Sequence, residues 1–228
     1  NVQVYPTDTL SLKRVYPDSA LTVWCNYPEL LENNPYVDAI NADVHSVARY
    51  ILLRKAHRTS YRLDDYAATA GVRTASARPR LYYRDWTCTW TTRIRSLRST
   101  HRAIIALSTG ASWQTKQWPL AYWRTLCQDL KQNAYAILHL GTEEPELDVT
   151  LNLVGKTDVR TAACVLHESD VYIGCDSGLM HLARAAEVPA IALFGPTRPD
   201  ILIRNDKDFF PLLAQCACQG CWNSPQDM

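Results

Sequence analysis

Between Asp170 and Pro199, two short apolar runs bracket a stretch with helical spacing. Val171-Tyr172-Ile173 reads as a buried strand. Apolar residues three and four apart return from Leu179 to Ala186, and Ala190 to Phe194 is a second apolar run. Gly174-Cys175-Asp176-Ser177-Gly178 breaks the period between the first run and the helix, and Gly195-Pro196 closes the second run. Two buried strands joined by one crossover helix are parallel neighbours, and a parallel sheet needs helices over its faces. The chain is thereby constrained to an α/β architecture. A polar turn at the carboxyl end of such a strand, opening onto a helix, is where open α/β sheets bind ligands. The free N–H groups and positive dipole end of that helix suit a phosphate.

The same alternation runs through the rest of the chain. In the first hundred residues the pattern predicts strands at Val2–Tyr5, Ala20–Trp24 and Val37–Ile40, with a helical turn at Tyr27–Leu31. Helices are predicted at Asp8–Val15, Val44–Lys55 and Tyr61–Ala70, the last ending at Gly71. Ala77–Tyr83 reads as an extended linker. Asp85–Arg98 is a basic, aromatic-rich helix candidate carrying Arg93, Arg95 and Arg98. A second half starts at the strand Ala103–Leu107. A loop (Ser108–Trp118), a helix from Pro119 to near Gln132 and a strand at Ala134–Leu140 follow. Next come the loop Gly141–Asp148, a strand at Leu151–Val154, a helix at Asp158–Ser169 and the segment above. Strands alternating with helices in both halves predict two doubly wound, Rossmann-like domains, residues 1–100 and 101–228.

Composition narrows the function classes. A hydrophobic share of 47% argues against disorder, and a net charge of +1 gives no electrostatic reason to expect nucleic acid. No apolar run approaches the roughly 20 residues that span a bilayer. No signal peptide is visible from Asn1 onward, and the chain begins abruptly in what reads as a strand. The natural N-terminus is therefore expected to lie upstream. Five of the eight cysteines are scattered singly among apolar residues, as buried thiols of a reducing compartment would be. The other three, Cys216, Cys218 and Cys221, fall within six residues and form a candidate metal site without a visible fourth ligand.

Asp176-Ser177-Gly178-Leu179-Met180-His181, followed by Phe194-Gly195-Pro196-Thr197 at this spacing, resembles the C-terminal signature of glycosyltransferase family 9, the ADP-heptose:lipopolysaccharide heptosyltransferase-like enzymes. Leu12-Lys13-Arg14-Val15-Tyr16-Pro17-Asp18 and Asn34-Pro35-Tyr36-Val37-Asp38 are similar to two further family segments. The resemblance implies the GT-B fold, two Rossmann-like domains facing a cleft, with the N-terminal one short of the usual size. It implies an inverting, metal-independent glycosyltransferase that moves a sugar, heptose from ADP-heptose, to a lipopolysaccharide core or related acceptor. The partners implied are an ADP-sugar donor and a glycolipid or protein acceptor. The place implied is cytoplasmic, at the inner face of the inner membrane, with peripheral membrane association. No cofactor is required on this reading. An alternative is a protein (autotransporter) heptosyltransferase, a subgroup in which a cysteine segment binds iron. Another is a nucleotide-sugar-binding protein without turnover.

Carried residue by residue, the resemblance places the donor at Ser112 and Lys116 before Trp118-Pro119, at Glu143 for the ribose, and at Asp176, Ser177, Gly178 and His181. A lysine is a mobile point charge suited to a diphosphate. Ser177 and Gly178 offer a hydroxyl and closely approachable backbone N–H groups, and either Asp176 or Ser177 is also expected to cap the following helix. Glu144 stands one place from Glu143 and is the neighbouring choice. The family's Gly-Asp loop, source of its general base, has no counterpart where Tyr5 runs into Pro6-Thr7-Asp8. Asp8 is the one acid near the end of the first predicted strand, so it is the candidate base or a helix cap. Arg54, Lys55, His57, Arg58 and Arg62 form a basic cluster, either a solvated face or a surface for an anionic acceptor. Gly155-Lys156-Thr157 lacks the first glycine of a P-loop and reads as a strand-to-helix turn, with Thr157 or Asp158 as cap. No Gly-x-Gly-x-x-Gly follows any predicted strand, which disfavours a dinucleotide oxidoreductase.

Overall fold

The computed structural model describes residues 6–42, 61–73, 78–204, 206–217 and 219–222, with backbone alone for 6–8. The predicted strand Val2–Tyr5, the predicted helix Val44–Lys55, Cys218 and the basic residues 54–58 lie outside the described residues. The chain divides into two compact units, residues 1–85 with 200–206, and residues 86–199 with 207–228. The second unit thus begins at Trp86, not at residue 101.

In the first unit, helix α1 (Pro6–Val15) precedes a parallel pair of two-residue strands, β1 (Thr22–Val23) and β2 (Ala39–Ile40). Helix α2 (Arg62–Ala70) follows and stops at Gly71, whose φ of 71° is the left-handed value a helix end favours. The two family-like segments meet here. Lys13 Nζ lies 2.8 Å from Asp38 Oδ2 and donates to Ser19 O, while the same Asp38 oxygen accepts from Leu21 N at 2.6 Å. Leu12 of α1 and Tyr16 just after it pack on Ala67, Ala70 and Val72. Buried Asn34 donates to the buried Thr9 hydroxyl and accepts from Tyr36 N. These motif residues build the fold of the unit.

The second unit opens with α3 (Thr91–Leu97), shorter than the predicted Asp85–Arg98. Arg95 and the C-cap residue Arg98 pair within the unit. Arg95 forks onto Glu168, and Arg98 bonds Asp170, which itself accepts from Ile104 N at 2.7 Å. The strands are β3 (Ile104–Ser108), β4 (Ala136–His139), β5 (Leu151–Asn152), β6 (Val171–Cys175), β7 (Ala190–Phe194) and β8 (Phe209–Leu213). All pair in parallel, in the order β5-β4-β3-β6-β7-β8. Helix α4 (Leu120–Gln132) links β3 to β4, α5 (Val159–His167) links β5 to β6, and α6 (Gly178–Ala185) links β6 to β7. Asp158 caps α5 by accepting from Thr161 N at 2.6 Å, as Gly155-Lys156-Thr157-Asp158 suggests. The order reverses between β3 and β6, the doubly wound arrangement with its switch point at the centre of the sheet.

Apolar packing follows the pleat. Leu107, Ile137 and Cys175 lie with Trp123 and Cys127 of α4 on one face, and Trp118 meets Trp123 edge-on at 4.9 Å. Ser108, Tyr172 and Gly174 therefore share the opposite face. Strand β8 is absent from the sequence reading because Pro211 interrupts its pattern. Ala214 N bonds Phe194 O, so alternation turns the position of Pro211 away from β7, where the missing N–H costs nothing.

Tyr172 is fully buried, and its hydroxyl lies directly over Gly174. A Cβ at 174 would stand 2.1 Å from Tyr172 Oη and 2.5 Å from its Cζ, whereas a Cβ at Gly178 meets nothing within 4 Å. Gly174→Ala is expected to cost about 2–3 kcal/mol by overpacking, and Gly178→Ala less than about 1 kcal/mol. Chemical denaturation of both variants reads the difference, and equal midpoints would contradict this packing.

Candidate functional site

The switch point brings two loops side by side, because Ser108 at the end of β3 pairs with Gly174 near the end of β6. One loop carries Lys116 and the other Asp176. Lys116 ends the 3-10 turn Gln114–Lys116, and its Nζ lies 2.6 Å from Asp176 Oδ2. Thr197 Oγ1, from the loop after β7, donates to the same oxygen at 2.6 Å. Side-chain exposures are 12% for Lys116 and 5% for Asp176, so this is a buried pair. Burial pushes the Asp176 pKa up. The Lys116 ammonium, the His181 imidazole and the two hydrogen bonds outweigh burial and hold it below the ordinary carboxylate value. The Lys116 ammonium also sits 4.5 Å from the centroid of the Trp113 ring.

Ser177 follows at the N-cap of α6 with extended backbone, φ −147° and ψ 176°. The expectation that Asp176 or Ser177 caps this helix does not hold. The Asp176 carboxylate is committed to Lys116 and Thr197, and Ser177 makes no side-chain capping bond to the helix. The first N–H groups of α6 therefore face the loop without a side-chain acceptor. Gly178 is exposed with open space where a side chain would be, and His181 lies half-buried one turn further on. The fully buried hydroxyl of Tyr172 lies close to the Ser177 and Ser108 hydroxyls, and burial pushes its pKa well up.

A second buried carboxylate stands beside the first loop. Glu144 Oε2 accepts from Thr109 N and Thr109 Oγ1, each at 2.6 Å, and lies 2.9 Å from His139 Nε2. Ser108 Oγ donates to Glu144 Oε1 at 3.1 Å. Gly110 and Gly141 form the cradle, since a Cβ at either would stand 2.8 or 2.0 Å from Glu144 Oε1. Burial raises the Glu144 pKa, but hydrogen bonds from His139 and Thr109 bring it below the ordinary value. Glu143, the sequence-based ribose candidate, is exposed, and it is Glu144 that reaches the switch point.

The structure thus joins Lys116, Asp176, Ser177, Gly178 and His181 at one sheet edge, with Ser112 exposed in the same loop as Lys116. Asp8 is the third residue of α1, inside the helix and not at its cap, and its side chain is outside the described residues. Cys216 and Cys221 are exposed, and among the described residues no group of three metal-ligating side chains converges. Sequence reasoning missed Ser108, Thr109, His139 and Thr197. A histidine inside the apolar run Ala136-Ile137-Leu138-His139-Leu140 was the available signal, because a buried imidazole needs a partner.

Residues 27–204 match the family model of glycosyltransferase family 9 (heptosyltransferase). Lipopolysaccharide heptosyltransferase 1 of Pseudomonas aeruginosa is 33% identical over 127 residues, 49% of this chain and 34% of that protein. The chain spans about a third of the length of the curated relatives it matches. Among solved structures, the fold is similar to ADP-heptose lipopolysaccharide heptosyltransferase II of E. coli. The TM-score is 0.69 at 17% identity, covering 94% of this chain and 87% of that one. It is also similar to the dodecameric iron-containing heptosyltransferase TibC of enterotoxigenic E. coli, solved in complex with ADP-D-beta-D-heptose. There the TM-score is 0.72 at 18% identity, covering 93% of this chain and 59% of that one.

The Glu144 carboxylate ties four polar groups of Ser108, Thr109 and His139 together, so its loss is felt as stability. A depressed folded-state pKa means this contribution is fully present above the ordinary value near 4.5 and is lost as pH falls through the depressed one. Glu144→Gln is expected to destabilise by about 2 kcal/mol at pH 7, with the gap from wild type narrowing at an acid pH well below the ordinary value. Urea unfolding of both proteins at the two pH values measures it. A gap that does not change with pH would contradict an ionised, bonded Glu144.

Proposed function

The chain belongs to glycosyltransferase family 9, and on that premise we propose that its β3–β6 switch point holds the diphosphate of a nucleotide-sugar during sugar transfer. The observation that carries the reading is the buried Lys116 ammonium, fixed by Asp176 beside the uncapped start of α6. An ammonium has three donors, and Asp176 takes one. The others, with the Ser177 hydroxyl and the first N–H groups of α6, suit phosphate oxygens. Gly178 keeps the approach open.

In glycosyl transfer the bond from the sugar to the diphosphate breaks, and negative charge builds on the leaving phosphate oxygen. Fixed donors aimed there stabilise the transition state more than the ground state. Lys116 and the helix start supply what a metal ion would otherwise supply, so the proposed transfer is metal-independent. The acceptor hydroxyl attacks from the opposite side with inversion and must give up its proton, and Asp8 is the proposed base. The proposed donor is heptose from ADP-heptose, which the names of the related proteins support. The proposed acceptor is a lipopolysaccharide core glycolipid, at the cytoplasmic side of the inner membrane. No described helix is long and apolar enough to cross a membrane. A second proposed reading is a protein acceptor with a metal on the segment of Cys216, Cys218 and Cys221, for which the support is the similarity to the iron-containing glycosyltransferase TibC. Glu144, with its oxygens occupied from below, positions the Ser108–Thr109 turn, and any ribose contact would use a remaining lone pair.

Thermal unfolding with ADP, UDP and GDP tests the site. A ligand at a hundredfold excess over Kd stabilises the folded state by about 2.7 kcal/mol. Truncating Lys116 alone would strand a buried carboxylate, so the variant is Lys116→Met with Asp176→Asn. ADP is expected to raise the wild-type melting temperature and to shift the double variant by much less, through residual binding at the α6 N-terminus. An equal shift in both would overturn the phosphate assignment.

A further inference from the structure

The segment after β8 folds back onto the loop that holds Asp176. Gly220 N donates to Gly195 O at 3.1 Å, and Trp222 N donates to Pro196 O at 2.7 Å. Gln219 Nε2 reaches Thr197 O at 3.4 Å. Thr197 is the residue whose hydroxyl bonds Asp176. The same loop touches the Lys116 turn from the other side, since a Cβ at Gly195 would stand 3.1 Å from Thr115 O.

The contact closes through aromatic rings. Trp222 is 9% exposed and meets Trp113 edge-on, with centroids 6.4 Å apart and planes at 72°. Trp113 carries the Lys116 ammonium 4.5 Å from its centroid. An edge-to-face pair at this spacing fixes the orientation of both rings, and the face of Trp113 then sets where the cation rests. The backbone of Trp222 has φ 57°, in the left-handed region that a bulky residue adopts only when its surroundings compel it. Gly220, at φ 76°, makes the preceding turn, where a Cβ would meet Arg198 Cγ at 2.8 Å. The strained backbone is thus spent on directing one indole at Trp113.

We infer that Trp222 is a positioning residue for the phosphate site, holding the Lys116 ammonium in place through Trp113. The inference rests on Lys116 serving the diphosphate, as proposed above. Trp222 touches no ligand in this account. Its removal frees Trp113 to turn, Lys116 samples more orientations, and diphosphate affinity falls while Asp176 and the α6 N-terminus stay as they are.

The test is ADP affinity by calorimetry for wild type, Trp222→Ala, Trp222→Phe, and Trp222→Ala in the Lys116→Met/Asp176→Asn background. Melting without ADP reports folding, and Trp113→Leu breaks the same link from its other end should Trp222→Ala not fold. Trp222→Ala is expected to weaken ADP binding about 2- to 10-fold, the worth of one aromatic pair. Trp222→Phe is expected to restore most of it. In the neutralised background the same substitution is expected to change nothing further, because the cation it positions is gone. Wild-type affinity in Trp222→Ala, or an equal loss in both backgrounds, would overturn the inference and leave the phosphate reading standing. Full ADP affinity in the neutralised protein would overturn the phosphate reading itself.

Discussion

A carboxylate taken out of water must be paired, and the buried Asp176 organises the site because of it. Its Oδ2 draws Lys116 from the loop after β3 and Thr197 from the loop after β7. Three separate strand ends are thereby tied at the centre of the sheet. The pair is costly in desolvation, so it is a poor device for stability alone. What it provides is a cation held at one place, next to helix N–H groups that no side chain caps. An acid close to an anion site is not a contradiction when its charge is already spent on the cation.

Glu144 repeats the device one strand over. It uses four polar groups of Ser108, Thr109 and His139 to fix the Ser108–Thr109 turn from which the Lys116 loop departs. The two glycines that make room for it, Gly110 and Gly141, belong to the two loops it joins. Both carboxylates are ionised because hydrogen bonds and neighbouring charge outweigh burial. The floor of the site is therefore polar and fixed.

Much of this was legible in the chain. The strand–turn–helix pattern around Asp176 placed β6, α6 and β7 within a residue or two, because alternating apolar runs and helical spacing are local signals. Lys116 was legible through its motif, but its partner was not, since pairing across sixty residues is a property of the fold. Glu143 and Glu144 are neighbours in sequence and differ only in which one the glycine-lined turn directs inward. Strand β8 was hidden by Pro211, whose edge position depends on the finished sheet. Trp222 was hidden for the same reason, as its role comes from a backbone that doubles back on residues 195–197.

The central claim is that Lys116 and the start of α6 together hold a diphosphate. A crystal structure of the protein with ADP tests it most directly. The account predicts both phosphates at the β3–β6 switch point, with oxygens within hydrogen-bond distance of Lys116 Nζ, Ser177 Oγ and the backbone N–H groups from Gly178 onward. ADP bound elsewhere, or phosphates placed with no contact to Lys116, would contradict it.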